Sequence, residues 1–419
     1  MKANNWNWCS LKTIYALAIV NCFILTMFTG YSLYPDSPSY LKAWELLIAG
    51  EIDLWRTPIY PTFLGSIKYI MGYENLYPMT VCLQHLIFLV SIYYFYHLIK
   101  WICQTSKVVF YITLIYAIHP SITTWSNCIL TESLSISGFV FLLYTTCKIW
   151  RSKSLKLGIP FTFWLFFLIF LRPAFIYLLP IYATWGIFIC FKRKLIRISL
   201  IYIGSTILVG GLLLFYMKAF QQKYEVFAPS CVSTYNQFFI AKQYNLIDPQ
   251  TISDKGLKSF ILNNETPEDL SKYTSYILRN YGIRNMQEVV SSSFFQNPMG
   301  HLKYVILRLC RASYTQPASY MSGGSDLISY VISPSLNLFY LLLITYTFIL
   351  IYWIYRKRVI PYISCLLYMI VCSNLIVSIA GAQDEWGRLN IPVIPVYLLM
   401  LGQLCNLIRL TKIPNGQLE

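Results

Sequence analysis

Charge is scarce in this chain. Asp, Glu, Lys and Arg make up 12% of its 419 residues, about half the share carried by a soluble domain. With 57% hydrophobic residues and a mean hydropathy of +0.53, that shortage excludes a disordered chain and an ordinary cytosolic enzyme. Histidine is nearly missing: His85, His97, His119 and His301 are scattered and show no metal-ligand spacing. The 12 cysteines contain no CxxC pair. Most lie inside apolar runs and read as small apolar side chains, so a secreted disulfide scaffold is excluded as well. Only Cys231 and Cys310 fall in a hydrophilic stretch, where spacing does not show whether they pair. No internal repeat is visible, which weakens an inverted-repeat transporter. No small-residue cleavage site follows the first apolar run, which is expected to remain as a signal anchor.

Long apolar runs are abundant. A bilayer core takes about 20 mostly apolar residues per helix. Ten spans are expected, near 13–30, 78–99, 108–126, 128–147, 157–171, 174–191, 195–217, 327–355, 359–380 and 390–408. The fifth and sixth are short and meet at Arg172 and Pro173. One long kinked helix would place a basic cluster on each side of the membrane: Lys148, Arg151, Lys153 and Lys156 before it, Lys192, Arg193, Lys194 and Arg197 after it. A hairpin keeps both clusters on one side, as the positive-inside rule favours.

With the N-terminus inside, 17 Lys and Arg fall on the cytoplasmic side with Glu419 as the only acid, and the remaining 16 basic and 16 acidic residues fall outside. The formal net charge of +16 is then wholly topological. It orients the chain and attracts anionic lipid rather than pointing to nucleic acid. The expectation is an all-α integral membrane protein of about ten transmembrane helices. Residues 1–217 form an N-terminal transmembrane module, 218–326 a large outer loop and 327–419 the C-terminal transmembrane helices. Inner loops are short and basic, so any chemistry belongs at the outer face.

The first outer loop, 31–77, carries most of the polar signal. Asp36 directly follows the first span. Ser37 and Pro38 are a helix start, and Tyr40, Leu41, Trp44, Leu47 and Ile48 then recur at helical spacing, with Gly50 as a stop. Thr57 and Pro58 start a second helix with Phe63, Leu64, Ile67 and Ile70 on its apolar side. Both read as amphipathic helices in the membrane interface. Asp36 is either a helix cap or a carboxylate placed to accept a proton from an attacking hydroxyl, and both roles can coexist.

This order of residues resembles the GT-C superfamily of polytopic glycosyltransferases. An Asp follows the first span, then Tyr40 and Ala43 lie on an interfacial helix, then Arg56, Thr57, Pro58, Tyr60 and Pro61 follow. Three further features match: Leu130, Thr131, Glu132 and Ser133 opening the fourth span, Leu171, Arg172 and Pro173 at an outer turn, and Arg388 with Pro392 and Pro395 opening the last span. The branches most similar are the dolichyl-phosphate-mannose protein mannosyltransferases and the bacterial lipid A aminoarabinose transferases. The first 190 residues carry the likeness well and the last 40 moderately; 218–326 matches nothing in it. The chain is shorter than members with a soluble C-terminal domain. It has a single acid at Asp36 where some branches have an acidic pair, which leaves the donor sugar and a divalent cation open.

The resemblance implies transfer of a sugar from a polyprenyl-phosphate carrier to a lipid, glycan or protein acceptor, with inversion and with Asp36 as general base. The leaving group is a phosphate, so cations must neutralise developing charge. Arg172 is the first candidate, since guanidinium binds phosphate bidentately; the alternative is an arginine snorkelling to headgroups. Arg56 and Arg388 rank second, and Arg388 could instead pair with Asp384 or Glu385. Glu132, an ionisable group at the lip of a span, could bind sugar hydroxyls, orient Asp36 or help hold a cation; otherwise it is a carboxylate favoured by a helix start. Tyr40, Trp44, Tyr60 and Trp125 could stack on a sugar or simply anchor the chain in the interface. In the large loop, 266–290 reads as a helix capped by Thr266 with Glu268 and Asp269 in its first turn. That loop would cover the site and select the acceptor, or be a plain solvated domain. The rival functions are an O-antigen-type polymerase, which would rely on arginines of the large loop, and a lipid-linked sugar flippase, which would need charges in mid-span. The cytoplasmic membrane of a bacterium is the expected location, with both termini inside.

Overall fold

A computed structural model of the chain describes residues 6–103, 105–193, 195–264, 269–311, 326–356, 362–381 and 386–411. Its helices are α1 Trp6–Thr29, α2 Ser37–Ile48, α3 Ile59–Met71, α4 Leu76–Ile102, α5 Ser106–Ile118, α6 Pro120–Thr123, α7 Glu132–Ser152, α8 Gly158–Leu171, α9 Leu178–Arg193, α10 Ile196–Tyr224, α11 Val232–Gln243, α12 Lys255–Asn263, α13 Leu270–Gln296, α14 Pro298–Arg311, α15 Asp326–Arg356, α16 Tyr362–Gly381, α17 Trp386–Asn390 and α18 Ile394–Thr411. Among the described residues the only extended pairing is an isolated bridge between Ser32 and Cys128.

Each of the ten expected apolar segments falls on helix, at least in its described part. Seven helices among the described residues are long and apolar enough to cross a bilayer, and the bent pair Ser106–Ile118 and Pro120–Asn127 makes an eighth. That pair turns by 47° at His119 and Pro120, where proline removes a backbone donor and its ring clashes with the preceding turn. Leu155–Leu171 and the described apolar part of α15, Tyr340–Tyr355, are shorter. The fourth span begins later than expected, because residues 124–127 form a 3-10 turn and α7 starts only at Glu132.

The hairpin expected at Arg172 is present. Phe161 on α8 and Tyr182 on α9 meet edge to face with ring centroids 4.9 Å apart. One continuous helix would hold two residues 21 apart at about 31 Å. Arg172 is extended (φ −144°, ψ 113°), and Pro173 opens a 3-10 turn leading into α9. The enclosed centre of the bundle is α7, flanked by α4, α8 and the 391–393 turn.

Helices α2 and α3 are the two short amphipathic helices expected of the first loop. They pack closely because Gly65 of α3 has no side chain: a Cβ there would lie 2.0 Å from the Trp44 ring. The segment after α3 turns at Gly72 in the left-handed region (φ 78°), which glycine adopts without strain.

Helices α11 to α13, with the end of α10, form a second, smaller core around Phe220, Cys231, Phe238, Leu257, Ile277 and Met286. Ile52, Leu54 and Trp55 of the first loop pack against it, and the Cys231 N–H donates to the Leu54 carbonyl at 2.9 Å. The expected helix over 266–290 is α13, and its cap is Asp269, which accepts from the Lys272 N–H at 3.0 Å. Thr266 and Glu268 lie outside the described residues, as does the side chain of Cys310, and with it the question of a Cys231–Cys310 pair. α13 is broken at Gly282 (φ 79°, ψ 166°).

Candidate active site

Five chain segments meet at one end of the bundle, and each delivers one ionic side chain. Asp36 occupies the N-cap position of α2, yet its side chain makes no capping bond there. Pro38 in the first turn sets the helix instead. Ser37 Oγ accepts from the Tyr34 N–H and donates to the Ile129 carbonyl, both at 2.9 Å. This fixes the backbone at Asp36 and leaves its carboxylate to two guanidiniums. Arg56 Nη2 donates to Oδ1 at 2.7 Å, and Arg388 Nη2 stands 3.5 Å from Oδ2.

Arg56 is aimed by its own loop. Asp53 Oδ1 accepts from the N–H groups of Trp55 and Arg56 at 2.8 and 2.7 Å, an Asx-type turn. Arg56 Nε donates to Ser39 Oγ at 2.7 Å, and its guanidinium lies 4.4 Å from the centre of the Tyr40 ring, a cation–π contact.

Glu132 is the floor of the site. It is the first residue of α7, where the helix dipole favours a carboxylate, and its side chain is 0% exposed against 39% for Asp36. Arg388 Nε donates to Glu132 Oε1 at 2.6 Å. Arg172 Nη1 is 3.2 Å from the same oxygen but outside hydrogen-bond geometry, and Glu132 Oε2 is buried without a hydrogen-bond partner. Arg388 also lies 5.8 Å from the ring centres of both Tyr34 and Trp125, which stack on each other at 5.6 Å. Asn374 steadies that segment, donating to Asn390 Oδ1 at 2.8 Å and accepting from the Tyr177 hydroxyl at 3.1 Å.

The result is a chain of alternating charges, Arg56, Asp36, Arg388, Glu132 and Arg172, running from rim to floor. Among the described residues three positive groups face two negative ones, a surplus of one positive charge suited to an anion. Burial pushes the Asp36 carboxyl up, but the Arg56 and Arg388 guanidiniums outweigh it and hold its pKa below the ordinary carboxylate value. Burial pushes the Tyr40 phenol up, so Tyr40 stays neutral beside Arg56.

The donor set does not fit a divalent cation. Each carboxylate is already in contact with two guanidiniums, and a cation between them would face three positive groups. Among the described residues no three His, Cys, Asp or Glu side chains are grouped for a metal.

The structure brings together Asp36, Arg56, Arg172, Arg388, Glu132 and Tyr40. Tyr60 is different. It is fully buried behind Tyr40, with ring centroids 4.7 Å apart, and its hydroxyl donates to Gln84 Oε1 at 3.1 Å. In this structure Tyr60 backs the Tyr40 ring. Trp44 packs over Gly65. Asp384 and Glu385 lie outside the described residues. The Glu132 partner of Arg388 is 256 residues away in sequence and has no local signal. Tyr34, Ser39, Asn374 and Asn390 were not singled out in the sequence; the proximity of Asn390 to Arg388 is the only hint among them.

Comparison with solved structures places this geometry in a known fold. The archaeal oligosaccharyltransferase AglB from Archaeoglobus fulgidus, in complex with an inhibitory peptide and a dolichol-phosphate, is similar at TM-score 0.54 and 12% identity, over 97% of this chain and 51% of that one. The fold is GT-C. The same organism's oligosaccharyltransferase matches in its apo form (TM-score 0.51, 11% identity, 98% and 52% covered) and tethered by a disulfide to an acceptor peptide with the NVT sequon (TM-score 0.54, 11% identity, 97% and 51% covered). The chain spans about half the length of these structures. No protein-family model and no curated relative matches it.

Proposed function

We propose that the protein is a membrane glycosyltransferase that moves a sugar from a polyprenyl-phosphate carrier to an acceptor hydroxyl at the outer face of a bacterial cytoplasmic membrane. The observation that carries this reading is the alternating charge chain, with its surplus positive charge, at the end of a GT-C bundle. The A. fulgidus neighbour in complex with a dolichol-phosphate supports a lipid phosphate as ligand for this fold. The basic cytoplasmic clusters at 148–156 and 192–197 support an outward-facing site.

In this reading the donor phosphate lies against Arg388 and Arg172, with Arg56 at the rim. Glu132 holds the two deeper guanidiniums in place. The acceptor oxygen forms a bond to the sugar C1 on the face opposite the phosphate. The C1–O bond breaks, its electron pair leaves on the polyprenyl phosphate, and Asp36 accepts the acceptor proton. One displacement inverts the anomeric centre. A carboxylate with a depressed pKa is a weak base, but incoming phosphate competes with Asp36 for Arg388 and Arg56 and brings its own negative charge. Both effects raise the Asp36 pKa when donor is bound.

The test is incubation of purified protein with a panel of polyprenyl-phosphate monosaccharides and a crude acceptor extract, measuring free polyprenyl phosphate. Release from at least one donor supports the reading, and release from none defeats it.

A further inference from the structure

The second helical core carries a cleft that the transfer site does not use. It is a hollow of about 830 Å³ between the end of α10 and the break in α13. A neighbouring hollow of about 450 Å³ continues it along α13. The two share Ser253, Asp254, Asn285 and Glu288, so they form one groove. Each is within the size range of small-molecule sites, about 300–1,000 Å³.

The chemistry of the lining is specific. Tyr281 presents a half-buried ring, anchored by its hydroxyl to the Gly256 carbonyl at 3.4 Å. Asn285 lies between Asp254 and the Tyr281 carbonyl, donating to them at 3.4 and 2.9 Å, and its amide oxygen can only accept. Ser253, Ser291 and Ser292 add hydroxyls along the wall. The ionic groups leave an excess of acid: Arg284 pairs with Glu225 at 3.0 Å and Glu288 at 3.4 Å, Lys223 pairs with Glu51 at 2.6 Å, and Asp254 caps α12 by accepting from the Leu257 N–H at 2.7 Å. No surplus positive charge remains for a phosphate.

Peptide modes fit poorly. An extended peptide adds to a sheet edge, and a helical one needs an apolar groove. The described residues hold no strand, and this groove mixes Leu54, Leu278, Ile283 and Val289 with amide, carboxylate and hydroxyl groups that interrupt its apolar wall. Planar hydrogen-bonding groups around an aromatic face suit a ligand with many hydroxyls and apolar ring faces. Leu54 lines the groove, and Arg56, the rim residue of the transfer site, is two residues further, within about 7 Å of backbone.

We propose that this groove binds a neutral oligosaccharide and is the acceptor subsite of the transferase, so that the acceptor is a glycan. The assignment of an acceptor role rests on the function proposed above; the binding itself does not.

The test is saturation-transfer NMR on the detergent-solubilised full chain with neutral oligosaccharides of three to six hexose or N-acetylhexosamine units. An unstructured peptide of similar mass is the comparison. Wild type binds at least one oligosaccharide, Asp36→Asn binds it equally, and Tyr281→Ala and Asn285→Ala each weaken it at least tenfold with an unchanged unfolding temperature. Binding of no oligosaccharide, or binding undiminished in both folded groove variants, overturns the proposal. Binding of the peptide alone reassigns the groove to a protein acceptor and overturns it as well. Oligosaccharide binding without release of polyprenyl phosphate from any donor removes the transferase reading and the acceptor role, and leaves the groove as a glycan site.

Discussion

Asp36 is separated from an ordinary helix cap by a few ångströms. The backbone places it at the cap position, but its oxygens go to Arg56 and Arg388. The free enzyme therefore keeps Asp36 ionised throughout the neutral range. The acid limb of kcat/KM, which reports the free enzyme, is expected below the ordinary carboxylate pKa. The limb of kcat, which reports the donor complex, is expected at higher pH, because phosphate draws the guanidiniums away. Coincident limbs in a pH–rate profile would contradict that competition. At the floor, Arg388→Ala leaves Glu132 buried with only Arg172 beside it. Removing one partner of a buried pair costs roughly 3–5 kcal/mol, so a large drop in unfolding temperature is expected in detergent. Sequence patterning placed Asp36 and Arg56 in one loop, but not the pairing of Glu132 with Arg388, since contacts between distant segments leave no mark in local spacing.

At the scale of elements, the site depends on two short helices held together by one glycine. Gly65→Ala forces the Trp44 ring out of its position. Overpacking of this kind costs about 1–3 kcal/mol, and here it also displaces Asp36 and Arg56, which sit at the starts of the two helices. Reduced thermal stability with a fall in transfer rate is expected; wild-type values for both would show that the α2–α3 contact does not position the site. These helices were readable from apolar spacing and from Pro38, Gly50 and Pro58. The break at His119 and Pro120 falls inside one expected span, 108–126, although Pro120 marks it in the sequence, because Ile122 and Trp125 continue the apolar pattern beyond the proline. His119 shapes that bend: its Nδ1 accepts from the Ser121 N–H at 3.1 Å.

At the scale of the whole molecule, the proposed topology makes the net charge of +16 a matter of orientation. Lys153 follows α7 at the end away from the site, and Lys255 opens α12 in the second core. In a cysteine-free background, Lys153→Cys is expected to react with a membrane-impermeant maleimide only after the cells are opened, and Lys255→Cys in intact cells. The reverse pattern would place the charge chain on the cytoplasmic side and contradict the proposed topology. The fold class was legible because bilayer thickness and charge placement act through composition. The second core was not, because 218–326 has no single long apolar period and part of its packing comes from Ile52, Leu54 and Trp55 of a distant loop.

The measurement that bears most directly on the charge chain is release of polyprenyl phosphate by wild type and by Asp36→Asn, with the donor that wild type accepts. General-base groups contribute about 10²–10⁴-fold. The account predicts a loss in that range at unchanged unfolding temperature and with donor binding retained. Equal release by the two proteins would contradict it, and would leave Asp36 as a partner of Arg56 with no part in the chemistry.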